Sequence, residues 1–562
     1  MSQTVKQWGY GQALILALMV VSCSATHDSS DTAAPVRRCR TLVPSSANAC
    51  TVQVGSGDLV VLEGDVLAPK QVLLGGQIVI SLSQKRVIAV GCDADTEAGA
   101  TGATRIVCSE GVISPGLVNP HDHLWWNQEW PAYWGDVRFN HRNQWRLGLG
   151  GHQKITYEKA TDIKEVVWSE MRHILAGTTS IAGANGSLGF LRNVDVADLM
   201  EGLPDPQAHV ADYNIFPLGD ESDAMTLTSG CAYPKMVSSD VLTKPCFVPH
   251  IGEGIDRAAR NELLCLSDRE AGGVDATGPN GAFIHTVAAL AVDAQTLRQR
   301  GTSVVWSPRS NISLYGNTAQ VTMYDRLGIN IALSTDWTPS GSMNLLRELR
   351  CAMSLNNKFL DGYFSTQHMW EMVTGNAADA LQMSTLLGRL RPGLMADVAI
   401  FDRAGRDDRY AAVVEAEMNS VLLVLRGGTP LYGTSNLLSA FPGSNSACEP
   451  LPGGVCGAAR QICSLGDTGL AIEDLISANK PHYPLFYCGT PADEPSCFPE
   501  RPGEYPLQGA LARQDYDGDG IINEKDNCRK TFNPIRPVDN GFQADADGDG
   551  LGDVCDPTPL AP

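Results

Sequence analysis

The spacing of hydrophobic positions changes character three times along the chain. Between residues 57 and 91 short apolar runs (Leu59-Val60-Val61-Leu62, Val72-Leu73-Leu74, Gln77-Ile78-Val79-Ile80 and Val87-Ile88-Ala89-Val90) are divided by Gly- and Pro-containing turns, which predicts a small antiparallel sheet. From there to residue 381 helix-period stretches (163–176, 258–269, 292–300, 343–354, 368–381) alternate with short strand-like runs (178–182, 209–215, 247–249, 282–284, 303–306, 330–334). Such alternation marks a parallel α/β fold. Strand-like text returns at Ala396-Asp397-Val398-Ala399-Ile400-Phe401, at 420–425 and at 430–433. The expected architecture is a (β/α)8 TIM-like barrel over 111–395, inserted in a composite β-domain made of 57–110 and 396–435. One barrel strand finds no place, because 216–246 offers no convincing apolar run.

Polar residues cluster where the predicted strands stop, which is where a parallel barrel carries its chemistry. The run Val112, Ile113, Leu117, Val118 ends at His121-Asp122-His123. In extended backbone residues two apart share a face, so both imidazoles can aim at one point. Phe247-Val248-Pro249 ends in His250-Ile251-Gly252-Glu253, and Ala282-Phe283-Ile284 in His285. Strand 303–306 ends in Ser307-Pro308-Arg309-Ser310-Asn311, and Ile331-Ala332-Leu333-Ser334-Thr335 in Asp336. Each alone reads as an ordinary loop histidine or helix cap. Together, three imidazoles and a carboxylate at separate strand ends make a ligand set for a borderline divalent ion, with a position open for water.

These motifs resemble the amidohydrolase superfamily, in particular its cytosine deaminase, guanine deaminase and triazine chlorohydrolase branch. The resemblance is carried by Pro115-Gly116-Leu117-Val118-Asn119-Pro120-His121-Asp122-His123, by His250-x-x-Glu253, by Pro308-x-Ser310-Asn311 and by the strand ending at Asp336. It extends through Thr374-Gly375-Asn376-Ala377-Ala378 and Pro392-Gly393-Leu394-Met395-Ala396-Asp397. It implies that His121, His123, His250 and Asp336 hold one Zn²⁺ or Fe²⁺, that Glu253 shuttles a proton and that His285 orients or helps deprotonate the water. Binuclear relatives bridge two metals with a carboxylated lysine. Lys235 and Lys244 stand near the right region but in Pro-flanked loop text, which favours a single metal. After His123 come Trp125, Trp126, Trp130, Trp134 and Trp145, rings that either stack on a flat substrate or pack the loop against the barrel rim. Trp125, Trp126, Arg309 and Asn311 are the candidate substrate contacts, and Arg138 and Arg142 are candidates for an anionic group or for local ion pairs.

Net charge of −21 removes nucleic acid from the candidate partners. Part of that acidity is local, with eleven acidic residues against four basic ones from Asp515 onward. There Asp515, Asp517, Asp519 and Asp526 return as Asp545, Asp547, Asp549 and Asp553, alternate carboxylates turned around Gly that present hard oxygens in the manner Ca²⁺ prefers. An EF-hand is the near alternative, but no bidentate Glu stands at its twelfth position. The segment resembles thrombospondin type 3 repeats over 515–562, with Cys528 and Cys555 as a candidate pair. At the other end an apolar stretch from Ala13 to Val21 precedes Ser22-Cys23, which fits a secretory signal (1–23) with a lipidated Cys23, followed by a tether (24–56). The expectation is an exported bacterial protein held at the outer membrane or cell surface. Sixteen cysteines in an exported chain imply disulfides. Setting Cys23 aside leaves an odd number and therefore a free thiol, and Cys39/Cys50, Cys92/Cys108 and Cys231/Cys246 are the close pairs. The Cys/Pro-rich stretch 436–514 carries no functional signal.

The sequence reading is a metal-dependent hydrolase that uses metal-activated water on a non-peptide C–N bond of a small molecule, with deamination of a cyclic amidine or related heterocycle first. A cyclic-amide hydrolase or dipeptidase of the same superfamily is the enzymatic alternative. A non-catalytic, calcium-structured surface binding protein is the alternative from another class.

Overall fold

A computed structural model describes residues 34–561 apart from 45–48, 223–224, 270–271, 443–446 and 506–513. The signal segment with Cys23, and the tether up to residue 33, lie outside the described residues. Among the described residues no helix is long and apolar enough to cross a membrane.

The early and late strand text meets in one eleven-stranded sheet. Leu59–Ala68 pairs antiparallel with Gln71–Ser81 and parallel with Thr104–Pro115, which in turn pairs antiparallel with Val398–Asp402. Val421–Arg426 and Thr429–Gly433 follow. The sheet reaches further at both ends than its apolar runs suggest. Within the stretch expected as a tether, Val36–Arg38 and Thr51–Gln53 are strands paired to Gln71–Ser81 and Thr104–Pro115. In the Cys/Pro-rich stretch, Gln461–Ile462 pairs with Thr429–Gly433. These strands are only two or three residues long, and the first two are mostly exposed, so no hydrophobic alternation announced them.

The central segment is TIM-barrel-like. Its parallel strands are β1 (Leu117–Asn119), β2 (Thr178–Ile181), β3 (Arg192–Asn193), β4 (Ala211–Asn214), β5 (Cys246–Ile251), β6 (Ala282–His285), β7 (Ser303–Trp306) and β8 (Ile331–Leu333). They form a three-stranded sheet, β1 to β3, and a five-stranded sheet, β4 to β8, rather than one continuous ladder. Single backbone hydrogen bonds span both seams: Ala211 N–H to Val194 O at 2.9 Å, and Asp336 N–H to His121 O at 3.3 Å. The second seam is short for a local reason. Pro120 offers no N–H, and Asp336 turns into left-handed backbone at φ 62°. The strand the sequence left unplaced is β3. It lies before β4, not in 216–246, where the only regular element among the described residues is the 3₁₀ turn Ser239–Thr243. It was invisible because it is polar: Arg192, fully buried, donates to Ser180 Oγ at 2.9 Å and to Asp397 Oδ1 at 3.2 Å.

Helices cover the strands as their apolar faces require. Ile163–Leu175 is capped by Asp162, whose side chain accepts from Lys164 N–H, and buries Val166, Val167, Met171, Ile174 and Leu175. Gly177 then turns the chain into β2 at φ 91°, and a Cβ there would stand 2.8 Å from Phe401 Cζ, so the barrel and composite sheet meet closely at this point.

Among the described residues seven disulfides form, and the close pairs expected from spacing do not. Cys39 pairs with Cys92, Cys50 with Cys108, Cys231 with Cys265, Cys351 with Cys497, Cys448 with Cys463, Cys456 with Cys488 and Cys528 with Cys555. Strand register decides the partner: Thr51 lies opposite Val107, which sets Cys50 against Cys108. Cys246, buried in β5, is the free cysteine among the described residues.

Candidate active site

The six strand-end residues converge at one end of the parallel strands. His121 Nε2 lies 3.1 Å from Asp336 Oδ1, His123 Nε2 3.5 Å from the same oxygen, and His250 Nε2 3.2 Å from His123 Nε2. Four ligands around one ion at ~2.1 Å stand about 3.4 Å apart when tetrahedral, so the spacing fits.

Hydrogen bonds fix which nitrogen faces inward for His121 and His250. Tyr213, at the end of β4, donates its hydroxyl to Asp122 O at 2.9 Å. It therefore accepts from His121 Nδ1–H at 2.6 Å, which leaves a lone pair on His121 Nε2. His250 Nδ1 lies 3.3 Å from the carbonyl of Asn214, so its Nε2 is also bare. The contact of His121 Nε2 with Asp336 Oδ1 thus brings two acceptors together with no proton between them, an arrangement that a cation satisfies. Burial, then neighbouring imidazoles, hold His121 and His250 well below the ordinary histidine range, in the neutral form a metal requires. The other oxygen of Asp336 accepts from Ser310 Oγ at 2.5 Å.

His285 is wired in the opposite sense. Trp306 Nε1 donates to Thr318 Oγ1 at 2.7 Å, which lets Thr318 donate to Asn311 Oδ1 at 3.3 Å. Asn311 Nδ2 then donates to His285 Nδ1 at 3.2 Å. The proton of His285 is left on Nε2, facing Glu253 Oε2 at 3.7 Å. His285 and Asp336 both adopt left-handed backbone (φ 70° and 62°), a strained conformation that places each side chain at the strand end. Tyr315 donates to Glu253 Oε1 at 2.6 Å and accepts from Trp145 Nε1 at 2.9 Å. Burial pushes the Glu253 carboxyl up to about 7, against the pull of Arg142, so it exchanges a proton near neutrality.

A cavity of about 210 Å³ opens over this cluster. Its wall is aromatic: Trp126, Trp145, Tyr157, Phe216 and Trp337, with Tyr157 and Trp337 centred 4.5 Å apart. Arg142 lines it too, held by both oxygens of Asp220 at 2.7 and 2.8 Å. Tyr157, Phe216 and Trp337 were missed by the sequence reading, since each is one ring in loop text without a motif. Of the substrate candidates, Trp126 lines the cavity, whereas Trp125 packs into the core under Lys159. Asn311 acts behind His285. Arg309 is buried against Ser342 Oγ at 2.6 Å and Glu494 at 3.2 Å and does not line the cavity; its expected contact with substrate is replaced by an anchor for the C-terminal stretch. Arg138 bonds to its own loop at Val137 O. Lys235 and Lys244 are absent from the cavity wall.

The C-terminal acids repeat in space as in sequence. Asp515 accepts from Gly518 and Gly520 N–H at 2.8 and 3.0 Å, and Asp545 accepts from Gly548 and Gly550 N–H at 2.8 and 3.1 Å. Within each of the triplets Asp515/Asp517/Asp519 and Asp545/Asp547/Asp549 the ligand oxygens lie within 4.8 Å. Asp526 and Asp553 bond the backbone of Cys528 and Ala546. Oxygens of Asp517, Asp526 and Asp547 are buried without a partner, which fits a hard cation. Burial, then the neighbouring acid, pushes the Asp517 carboxyl upward.

Residues 255–431 match the amidohydrolase family, and residues 513–536 match the thrombospondin type 3 repeat. The central segment is amidohydrolase-like, and the chain ends in thrombospondin type 3-like repeats. Among relatives, a 5-methylthioadenosine/S-adenosylhomocysteine deaminase of Clostridium tetani is 32% identical over 124 residues, 22% of this chain and 29% of that protein. A 5'-deoxyadenosine deaminase of Methanosarcina mazei is 31% identical over 22% of this chain and 29% of its own length. A 5-methylthioadenosine/S-adenosylhomocysteine deaminase of Halobacterium salinarum is 24% identical over 62% of this chain and 84% of its own length. A triazine hydrolase of Arthrobacter aurescens superposes with TM-score 0.50 at 15% identity, covering 76% of this chain and 99% of that one, a likeness of fold alone.

Proposed function

We propose that the chain is a metal-dependent hydrolase that deaminates a small planar heterocycle bearing an exocyclic amino group. The observation that carries this reading is the convergence of His121, His123 and His250, with Asp336 Oδ1 within 3.5 Å of the first two, beneath an aromatic-walled cavity that also holds Glu253 and His285. Its relatives bear the names of adenosine-type deaminases, which agrees. A closed (β/α)8 barrel is the architecture in which such a site stands.

Bound by the three imidazoles and Asp336, one Zn²⁺ or Fe²⁺ supplies the Lewis acidity that brings water to reactivity near neutral pH. The chain's own groups do the rest. Glu253 takes a proton from the attacking water and returns it to the departing nitrogen, which leaves poorly unless protonated. His285 offers Nε2–H to the ring position that gains electron density, and Asn311 keeps it in that tautomer. Trp126, Trp145, Tyr157 and Trp337 bind the flat face and exclude water. No lysine in the cavity wall is available to bridge a second ion, which favours a single-metal enzyme over a dipeptidase.

Calcium held by the Asp515 and Asp545 clusters, and export with lipidation at Cys23, complete the reading; seven disulfides suit an oxidising compartment. The test is metal content of purified protein followed by ammonia release across purines, pyrimidines and triazines, with Glu253→Gln as control. One transition metal per chain and Glu253-dependent ammonia release are expected. Absence of bound metal in folded protein, or ammonia release untouched by Glu253→Gln, overturns the proposal. Mass spectrometry of the mature N-terminus tests the anchor, and an unmodified Cys23 refutes it.

A further inference from the structure

The two loops that carry Glu253 and His285 are held from outside the barrel by the C-terminal repeats. Val538 N–H donates to Ile255 O at 3.2 Å, two residues past Glu253. Arg536 donates to Val287 O at 2.9 Å, two residues past His285. Arg536 is 2% exposed, and Asp539 fixes it through Nε at 2.9 Å and its second terminal nitrogen at 2.8 Å. Upstream, Gln543 Nε2 donates to the Asn533 carbonyl at 3.2 Å and ties that residue to the first acid cluster. Gln543 Nε2 lies 2.9 Å from both Asp519 and Asp526. A short continuous path therefore runs from the acid cluster through 533–539 to the backbone of both loops. Within that cluster Asp517 and Asp526, 1% and 7% exposed, each keep a buried oxygen without a partner.

We infer that the repeats are a calcium-set clamp on the candidate catalytic loops, with Arg536 as its positioning residue. The inference rests on the calcium reading above, but not on the deaminase reading. Without a cation, the crowded carboxylates of Asp515, Asp517, Asp519 and Asp526 repel one another and loosen the segment that carries Arg536 and Val538. With calcium the segment is fixed, and the two loops lose backbone freedom. Linkage makes the effect mutual: anything that fixes the loops tightens calcium binding.

Hydrogen exchange on the full-length protein tests this without reference to turnover. In calcium-free buffer and in excess Ca²⁺, peptides covering 252–257 and 286–290 are compared, with calcium binding followed by calorimetry. In the wild type calcium should slow exchange in both peptides about tenfold, the size of one backbone hydrogen bond. Arg536→Ala should keep the heat of calcium binding and lose protection at 286–290, and Arg536→Lys should restore part of it. Asp517→Asn combined with Asp526→Asn should lose heat and protection together. Calcium heat in the wild type with unchanged exchange in both loops overturns the clamp. Protection at 286–290 that survives in Arg536→Ala overturns the role of Arg536. No calcium heat in the wild type overturns the calcium reading and the clamp with it, while ammonia release from the same sample reports separately on the deaminase reading.

Discussion

Replacing Tyr315 by phenylalanine removes the hydrogen bond it donates to the proposed proton shuttle. Tyr315 is fully buried, donates to Glu253 Oε1 at 2.6 Å and accepts from Trp145 Nε1 at 2.9 Å. The variant keeps the ring and its packing but removes a hydrogen bond to a charged group, about 1.5–3 kcal/mol, and leaves the Trp145 N–H without a partner. If that bond holds Glu253 in its working position, kcat/KM falls between about tenfold and a hundredfold, since 1.36 kcal/mol is a factor of ten. The pH dependence gives an independent sign. Burial raises Glu253, and the Tyr315 hydroxyl, by donating to the carboxylate, lowers it. Without that donor the carboxyl binds its proton more tightly, so the acid limb of the kcat/KM profile moves to higher pH. The assay is steady-state ammonia release across the pH range with the best substrate of the panel, alongside the thermal midpoint to exclude gross unfolding. A folded variant whose rate and acid limb superimpose on the wild type refutes the reasoning.

Other consequences are equally direct. Ser310→Ala leaves Asp336 Oδ2 without its 2.5 Å donor, and metal affinity measured by competition with a chromogenic chelator should drop about ten- to a hundredfold. Arg309→Ala strips a buried guanidinium from Glu494 and Glu348, so chemical denaturation should show a loss of about 3–5 kcal/mol while KM stays put; a raised KM in stably folded protein would return Arg309 to the substrate. Glu170 is pushed up to about 8 by burial. The folded protein therefore keeps a proton that the unfolded chain releases above its ordinary carboxylate range, and stability contributed at this site declines as pH rises through that window to about 8. Glu170→Gln should flatten the decline seen in urea midpoints, and an unaltered slope contradicts it.

The residues readable in the sequence were those that physics confines to strand ends. His121, His123, His250, His285, Glu253 and Asp336 each follow an apolar run, and the run announces the strand. The cavity wall was not readable, because Tyr157, Phe216 and Trp337 come from separate loops and meet only after folding. Tautomers were equally hidden: they depend on Tyr213, the Asn214 carbonyl and Asn311, none of which carries a pattern. β3 failed as a prediction because Arg192 and Asn193 are buried by ion pairing and hydrogen bonds instead of hydrophobicity. Arg309 misled for the opposite reason. It sits beside Ser310 and Asn311 in a site motif, yet the helix Pro308–Tyr315 turns its side chain outward to Glu494.

Cys246 sets a problem for a newly synthesised chain. Along the sequence it lies closer to Cys231 than does Cys265, the native partner 34 residues away. For an unstructured chain the smaller ring is easier to close by about 0.7 kcal/mol, so random oxidation favours the wrong bond roughly threefold. In the folded protein Cys246 is withdrawn from that competition by its enclosure among Ala211, Val248 and Ala282, neighbours in the same cluster under the strands. Maturation of this protein should therefore depend on a thiol-exchange catalyst, or on a core that assembles before the oxidant arrives.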